Sequence, residues 1–171
     1  MKTSGKTKTR VIRASYELRS RVGVGPVPQE TLEACQKIID ENRVDFSPLG
    51  LEFLENLRQT ISQTKSRQIS ENEALTQMTD IVMQLKANAA IFHYQLVGNL
   101  AQVMLGFLES LIHIDENAVE IVEAHHKTLT AILERKMDGD GKEYGVKLEE
   151  ELIHACERYA RTNKKKILPQ K

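Results

Sequence analysis

Two Glu-x-x-His motifs are the first residues whose types and spacing could do chemistry. They are Glu123–His126 and Glu151–His154, and paired motifs of this kind hold iron in di-iron carboxylate bundles. Such a site requires both motifs to face the bundle interior. Helical geometry places His154 almost opposite the apolar side chains of its own helix, so we expect it to face solvent. The sequence therefore predicts no metal and no other cofactor.

The adjacent histidines His125 and His126 suggest a second kind of chemistry, histidine phosphotransfer. Phosphotransfer domains expose their histidine in the middle of a helix, with a lysine three residues later. Here Thr128 and Leu129 occupy those later positions. His125 also falls inside the apolar stripe of its helix. We therefore predict a histidine in the core or at its boundary, where its ring nitrogens need hydrogen-bond partners.

Asp80 and Gln84 form a third candidate, an acid one helical turn before a glutamine. Both residues project away from the apolar stripe of their predicted helix. The arrangement resembles that of the bacterial chemotaxis response-regulator phosphatase, in which the acid binds a partner lysine and the glutamine orients a hydrolytic water. The same spacing recurs at Glu55–Gln59 and Glu73–Gln77. A solvated helix face is therefore the simpler interpretation.

Charge is segregated along the chain although 24 basic residues balance 24 acidic ones. Residues 1–25 carry seven basic side chains and one acidic side chain, and residues 164–171 carry four basic ones. The body, residues 26–163, holds 13 basic and 23 acidic side chains. We predict a flexible basic arm (1–25), a single helical domain (26–163) and a basic tail (164–171).

The arm also contains apolar residues among its arginines, a composition that favours ordering on an acidic protein surface. We therefore predict that it binds a partner and that its deletion weakens binding at least about tenfold while leaving thermal stability nearly unchanged. The predicted partner-binding residues are Arg10, Ile12, Arg13, Leu18, Arg19 and Arg21.

The body is predicted to be all-α, because apolar residues recur at helical spacing and period-two alternation is missing. Short connections between long helices indicate an antiparallel bundle of about five helices. Ser47 and Pro48 predict an N-cap and a first-turn proline. In the first helix, the residues predicted to face inward are Leu32, Cys35, Ile38 and Ile39. The predicted helices span residues 28–42, 48–65, 70–111, 116–137 and 142–161.

The third predicted helix is the longest. Ser70 and Glu73 form a capping-box pattern in front of an apolar repeat that runs from Leu75 to Leu111 with steps of three and four. The simplest interpretation is one central helix of about forty residues, about 60 Å long. A bend near 93–98 is the alternative, since Gly98 costs about 1 kcal/mol inside a helix.

Residues 87–108 lie within this repeat and carry no charge. The segment is long enough to span a bilayer, but its asparagines and glutamines form a polar stripe that lipid would penalise. We expect a cytoplasmic protein with no membrane segment. The uncharged surface favours burial under another helix, either the protein's own or that of a second copy in a homodimer.

One family resemblance follows from several short stretches of the sequence. They are Val11–Ala14 with Leu18, Arg21–Gly23, Gln84–Asn88, Ala124–His126 and Asp138–Gly141. Together they are similar to small all-helical accessory proteins encoded among the chemotaxis genes of alphaproteobacteria. The resemblance implies a bacterial role near two-component signalling through protein contacts, and it supplies no catalytic motif.

The sequence therefore favours a non-enzymatic adaptor or regulator that binds a signalling protein with an acidic surface. A response-regulator phosphatase that uses Asp80 and Gln84 is the first alternative. A weak nucleic-acid binder with basic termini is the second, and the acidic body argues against it.

Overall fold

The computed structural model describes residues 25–41 and 44–163. Helices make up 79% of these residues, which contain no β-strand, so the all-α prediction is confirmed. The predicted arm before Gly25 and the predicted tail lie outside the described residues. The chain divides into two compact units between Ile38 and Ile39. The described helices are α1 (Gln29–Asp40), α2 (Ser47–Lys65), α3 (Glu71–Ile91), α4 (Gln95–Ser110), α5 (Glu116–Glu134) and α6 (Lys142–Thr162).

Four helices form a ring in which each packs against two others. The contacts run from α2 to α3, from α3 to α4, from α4 to α5 and from α5 back to α2, while α6 packs against α4 and α5. The pairing of α2 with α5 is antiparallel, because Gly50 lies near Leu133 and the Leu54 carbonyl accepts from His126. The predicted bundle is therefore present in the unit that follows Ile38.

The core is built from the apolar repeats that the sequence predicts. On α3 the inward side chains are fully buried, with Met78, Val82 and Leu85 each 0% exposed. On α5 the apolar side chains of Val119, Val122, Leu129 and Leu133 recur at helical spacing and are likewise buried. Burial of a leucine-sized side chain contributes about 1.5–3 kcal/mol, so these stripes hold the ring together.

The prediction of one long central helix is wrong and its alternative, a bend near 93–98, is confirmed, because the chain breaks between α3 and α4. His93 adopts a left-handed backbone with φ of 63°. Phe92 stacks on Phe46, with ring centroids 5.4 Å apart, and the hydroxyl of the buried Tyr94 lies 3.1 Å from Ser47 Oγ. The break lets α4 fold back against α3 and bury its apolar stripe, which an extended helix would leave exposed.

The helix ends confirm the predicted cap at Ser70 and contradict the one at Ser47. Ser70 Oγ accepts a hydrogen bond from the Glu73 amide, and Asp115 Oδ1 accepts one from the Ala118 amide. The predicted N-cap at Ser47 is wrong, since α2 begins at this residue. The Ser47 hydroxyl lies near Tyr94 Oη instead, and the Ser47 amide donates to Asp45 Oδ1 at 2.9 Å.

Helix α1 contradicts the predicted orientation of its apolar side chains. None of its twelve residues is buried. Leu32 is 50% exposed, Ile38 is 72% exposed, and Cys35 and Ile39 are exposed as well. Periodicity predicts which residues share a face of a helix, but it does not predict whether another surface covers that face.

Candidate functional site

Helix α3 presents two chemically different faces. Its inward face consists of Ala74, Met78, Val82, Leu85 and Ala89, and all five are 0% exposed. Its outward face carries Asp80 and Gln84, which are both exposed as predicted. Because residues four apart lie one turn apart on the same side of a helix, the carboxylate and the amide are neighbours on one surface.

Glu55 and Gln59, on α2, are engaged with each other. Gln59 Nε2 donates to Glu55 Oε1 at 3.1 Å. Arg58 donates two further bonds of 2.7 Å to the same carboxylate. The hydrogen bonds from Arg58 and then Gln59 lower the pKa of Glu55 to about 2. This carboxylate is occupied by its own helix and is poorly placed to receive a partner's cation.

Glu73 and Gln77, on α3, are also engaged. Gln77 Nε2 donates to Glu73 Oε1 at 3.2 Å. The Thr60 hydroxyl lies 3.5 Å from Gln77 Oε1. The Gln77 amide is therefore oriented by this protein's own Glu73.

The Asp80–Gln84 pair differs from the other two pairs. Neither side chain forms a hydrogen bond or an ion pair with any residue in the described part of the chain. Both side chains are exposed to solvent. Of the three acid–glutamine pairs, this is the one whose carboxylate and amide are available to a binding partner.

A groove of about 500 Å³ opens beside Asp80, between α2 and α3. Asp80 is the one charged residue in its lining, and the remaining side chains are mostly amides. A partner group that enters this groove meets a single carboxylate surrounded by neutral hydrogen-bonding groups. The lining residues are Asn56, Gln59, Thr60, Gln63, Gln77, Asp80 and Ile81.

The contribution of α2 to this groove is absent from the sequence-based prediction. Asn56, Gln59 and Gln63 are spaced by three and four residues, which places them on one face of α2. That spacing is visible in the sequence. The pairing of this face with the Asp80 face is visible only once α2 and α3 are packed together.

The two adjacent histidines lie inside the bundle. His125 is 0% exposed, as the apolar stripe predicts. Its Nδ1 donates to the Ile121 carbonyl at 2.9 Å, and its Nε2 is buried with no partner among the described residues. Burial lowers the pKa of His125. This neutral, enclosed imidazole is unsuited to phosphotransfer with a separate protein.

His126 is half-buried and connects two helices. Its Nε2 donates to the Leu54 carbonyl of α2 at 3.0 Å, and burial is the main cause that lowers its pKa. Glu123, the other member of its motif, pairs with Lys65 at 2.7 Å. His154 is exposed on α6. No cluster of three or more metal-binding side chains occurs within 25–41 and 44–163.

Much of the uncharged segment 87–108 is covered by this protein's own helices. Eight of the sixteen residues of α4 are buried, including Leu100 and Met104, and α4 contacts α3, α5 and α6. The exposed positions of α4 include Gln95, Asn99 and Gln102. Intramolecular packing thus accounts for the apolar side of the segment, and the homodimer stays a prediction.

The predicted partner-binding residues of the arm, from Arg10 to Arg21, lie outside the described residues.

Comparison with known proteins adds no identity: no protein-family model, no curated protein and no solved structure matches this chain. None of the helices in the described ranges is long and apolar enough to cross a bilayer.

Proposed function

We propose that this chain binds the phosphorylated receiver domain of a response regulator and accelerates loss of its phosphoryl group. The observation that carries the proposal is the contrast among the three acid–glutamine pairs. Asp80 and Gln84 are exposed and unpartnered within the described residues. The other two pairs are hydrogen-bonded internally.

The proposed chemistry is water-driven hydrolysis of an acyl phosphate. The Asp80 carboxylate binds a lysine ammonium of the receiver and so sets the position of α3 over the phosphorylated aspartate. The carbonyl oxygen of Gln84 accepts a hydrogen bond from a water and holds it in line with the phosphorus. The water oxygen bonds to phosphorus, the bond from phosphorus to the aspartyl oxygen breaks with its electron pair staying on the aspartate carboxylate, and both protons of the water leave with inorganic phosphate.

The amide-rich groove supports this assignment on electrostatic grounds. A phosphoryl group is repelled by carboxylates, and Asp80 is the single charged residue in the groove lining. The neutral side chains of Asn56 and Gln63 can donate hydrogen bonds without adding charge. The face thus provides one carboxylate for a cation beside neutral groups that tolerate an anion.

Receiver domains from the same host are first phosphorylated with acetyl phosphate. The test then measures the rate at which each one loses its phosphoryl group. We expect wild type to accelerate the loss from one of them. Gln84→Ala should reduce that acceleration about 100-fold, because it removes the group that positions the water. Asp80→Asn should instead weaken binding about tenfold, through loss of a charge-assisted bond.

The matched control is Gln77→Ala, one turn from Asp80 on the same groove. Its amide is already bonded to Glu73, so this variant should retain most of the acceleration. Equal losses in the Gln77 and Gln84 variants would contradict the assigned role of Gln84. Failure of wild type to accelerate loss from every receiver of its host would reject the phosphatase proposal.

A non-enzymatic adaptor is the second candidate, and exposed apolar side chains favour it. Leu32 and Ile38 on α1 are 50% and 72% exposed, and Met83, next to Gln84, is 51% exposed. Such side chains are typical of protein-binding surfaces. Stable binding of a receiver with no change in its dephosphorylation rate would support the adaptor and reject the phosphatase.

A further inference from the structure

Two cavities lie along the seam between α5 and α6. One cavity of about 300 Å³ lies at the C-terminal end of α5, and another of about 350 Å³ lies nearer its N-terminus. The residues that α5 and its C-cap contribute to the two cavities include Asn117, Ala124, Thr128, Ala131 and the cap residue Arg135. Their steps of seven, four, three and four place them on one helix face, so the two cavities lie in line along one side of α5, and we call them together the seam groove.

The floor of this seam groove is apolar and its rim is basic. Small side chains, Ala131 among them, keep the groove open, while Ile132 and Leu148 form apolar floor. The charged residues that line the two cavities are Lys127, Arg135, Arg158 and Glu120. Three bases against one acid make the rim positive, although the body as a whole carries more acids than bases.

Helix α1 has the complementary properties. Its twelve residues contain three acids and one base. Its apolar residues Leu32 and Ile38 are 50% and 72% exposed. A helix of about 12 residues is marginal in water unless its apolar face is packed against a surface. The chain thus carries an acidic amphipathic helix and, elsewhere, a basic groove with an apolar floor.

We propose that α1 of a second copy of this chain docks in the seam groove, and that the two copies exchange their α1 helices reciprocally. At 1.5 Å per residue α1 is about 18 Å long, close to the distance along α5 from Ala124 to Arg135. Acidic side chains of α1, including Glu30 and Glu33, pair with the basic rim. Reciprocal docking also doubles the buried area, which brings a small helix–groove contact toward the ~1,200 Å² of a stable complex.

The test measures the molar mass of the full chain by sedimentation equilibrium. Wild type is expected to dimerise. A helix variant, Leu32→Asp with Ile38→Asp, and a groove variant, Lys127→Glu with Arg135→Glu, should each weaken dimerisation at least tenfold. All four substituted residues are exposed, so both variants should fold. The matched control is Ile112→Asp, a change at an apolar residue that is 39% exposed and lies outside α1 and the groove.

Mixing the two variants tests the exchange itself. A heterodimer of the helix variant and the groove variant retains one intact pairing, so the mixture should recover dimer that neither variant forms alone. A monomeric wild type would overturn the proposal. So would a wild-type dimer that the helix variant or the groove variant weakens no more than Ile112→Asp does. A mixture that recovers no dimer would overturn reciprocal exchange.

Discussion

Leu85 and Gln84 are neighbours in the sequence, yet they belong to opposite regions of the molecule. Leu85 lies on the inward face of α3 and is 0% exposed. Gln84 lies on the outward face, exposed and without a side-chain partner in the described residues. The inward face is accounted for by the packing of α2, α3 and α4. The outward face is not required for that packing, which makes it available for another molecule.

The largest expected effect is on stability, which substitutions of Leu85 and Gln84 should change by very different amounts. Leu85→Ala should lower the free energy of unfolding by about 3–5 kcal/mol, because it removes buried methyl groups and leaves a cavity. Gln84→Ala should change it by less than about 0.5 kcal/mol, since it removes an exposed side chain. Urea denaturation of both variants measures the difference. Equal destabilisation would mean that the outward face is also part of the fold's own packing.

Two helical glycines extend the comparison to α2 and α4. A Cβ on Gly50 would lie 2.7 Å from Leu133 Cδ1, whereas one on Gly106 would have no neighbour within 4 Å. Gly50→Ala should therefore destabilise the fold by about 1–3 kcal/mol through overpacking. Gly106→Ala should stabilise it by about 0.5–1 kcal/mol, because alanine is the better helix former.

Thermal or urea denaturation compares the two alanine variants directly. Opposite signs would support the assignment of Gly50 to a tight contact between α2 and α5 and of Gly106 to open helix surface. A stabilised Gly50→Ala variant would show that Leu133 moves aside at little cost and that α2 and α5 are not tightly packed at this point.

A smaller effect concerns the pH dependence of stability, through His125. Burial holds the pKa of folded His125 below 6.5, so the unfolded chain binds the proton more readily. Stability should therefore fall as the pH drops below about 6.5, by at most about 1.4 kcal/mol per pH unit for this group. His125→Leu should remove this contribution, and the exposed His154→Leu should not. Parallel pH profiles for wild type and His125→Leu would contradict the assignment.

Much of the bundle could be predicted from the sequence, because apolar spacing alone identifies the buried residues of α3 and α5. Apolar spacing does not show the break at His93, and the residue that suggested a bend in this region, Gly98, lies inside α4 and not at the break. The apolar repeat keeps its phase from Ala89 to Leu96, and the turn is set by packing of Phe92 on Phe46, a residue far away in the chain.

The candidate site was predictable in part. Spacing identifies three acid–glutamine pairs, and helical phase places Asp80 and Gln84 on the outward face. Which pair is free depends on side-chain geometry, such as the bond from Gln77 to Glu73. The amides of Gln59 and Gln63 join the site only because α2 packs beside α3.

The most direct test of the central claim, that the outward face of α3 receives a phosphorylated receiver domain, is an NMR titration. The receiver would be held in its phosphorylated form by beryllofluoride, and the side-chain amide signals of the glutamines would be followed. We expect the Gln84 amide and the backbone signal of Asp80 to shift on binding, and the signals of α5 and α6 to remain unchanged. Binding that shifts signals of α5 and α6 while those of Asp80 and Gln84 stay in place would contradict the claim.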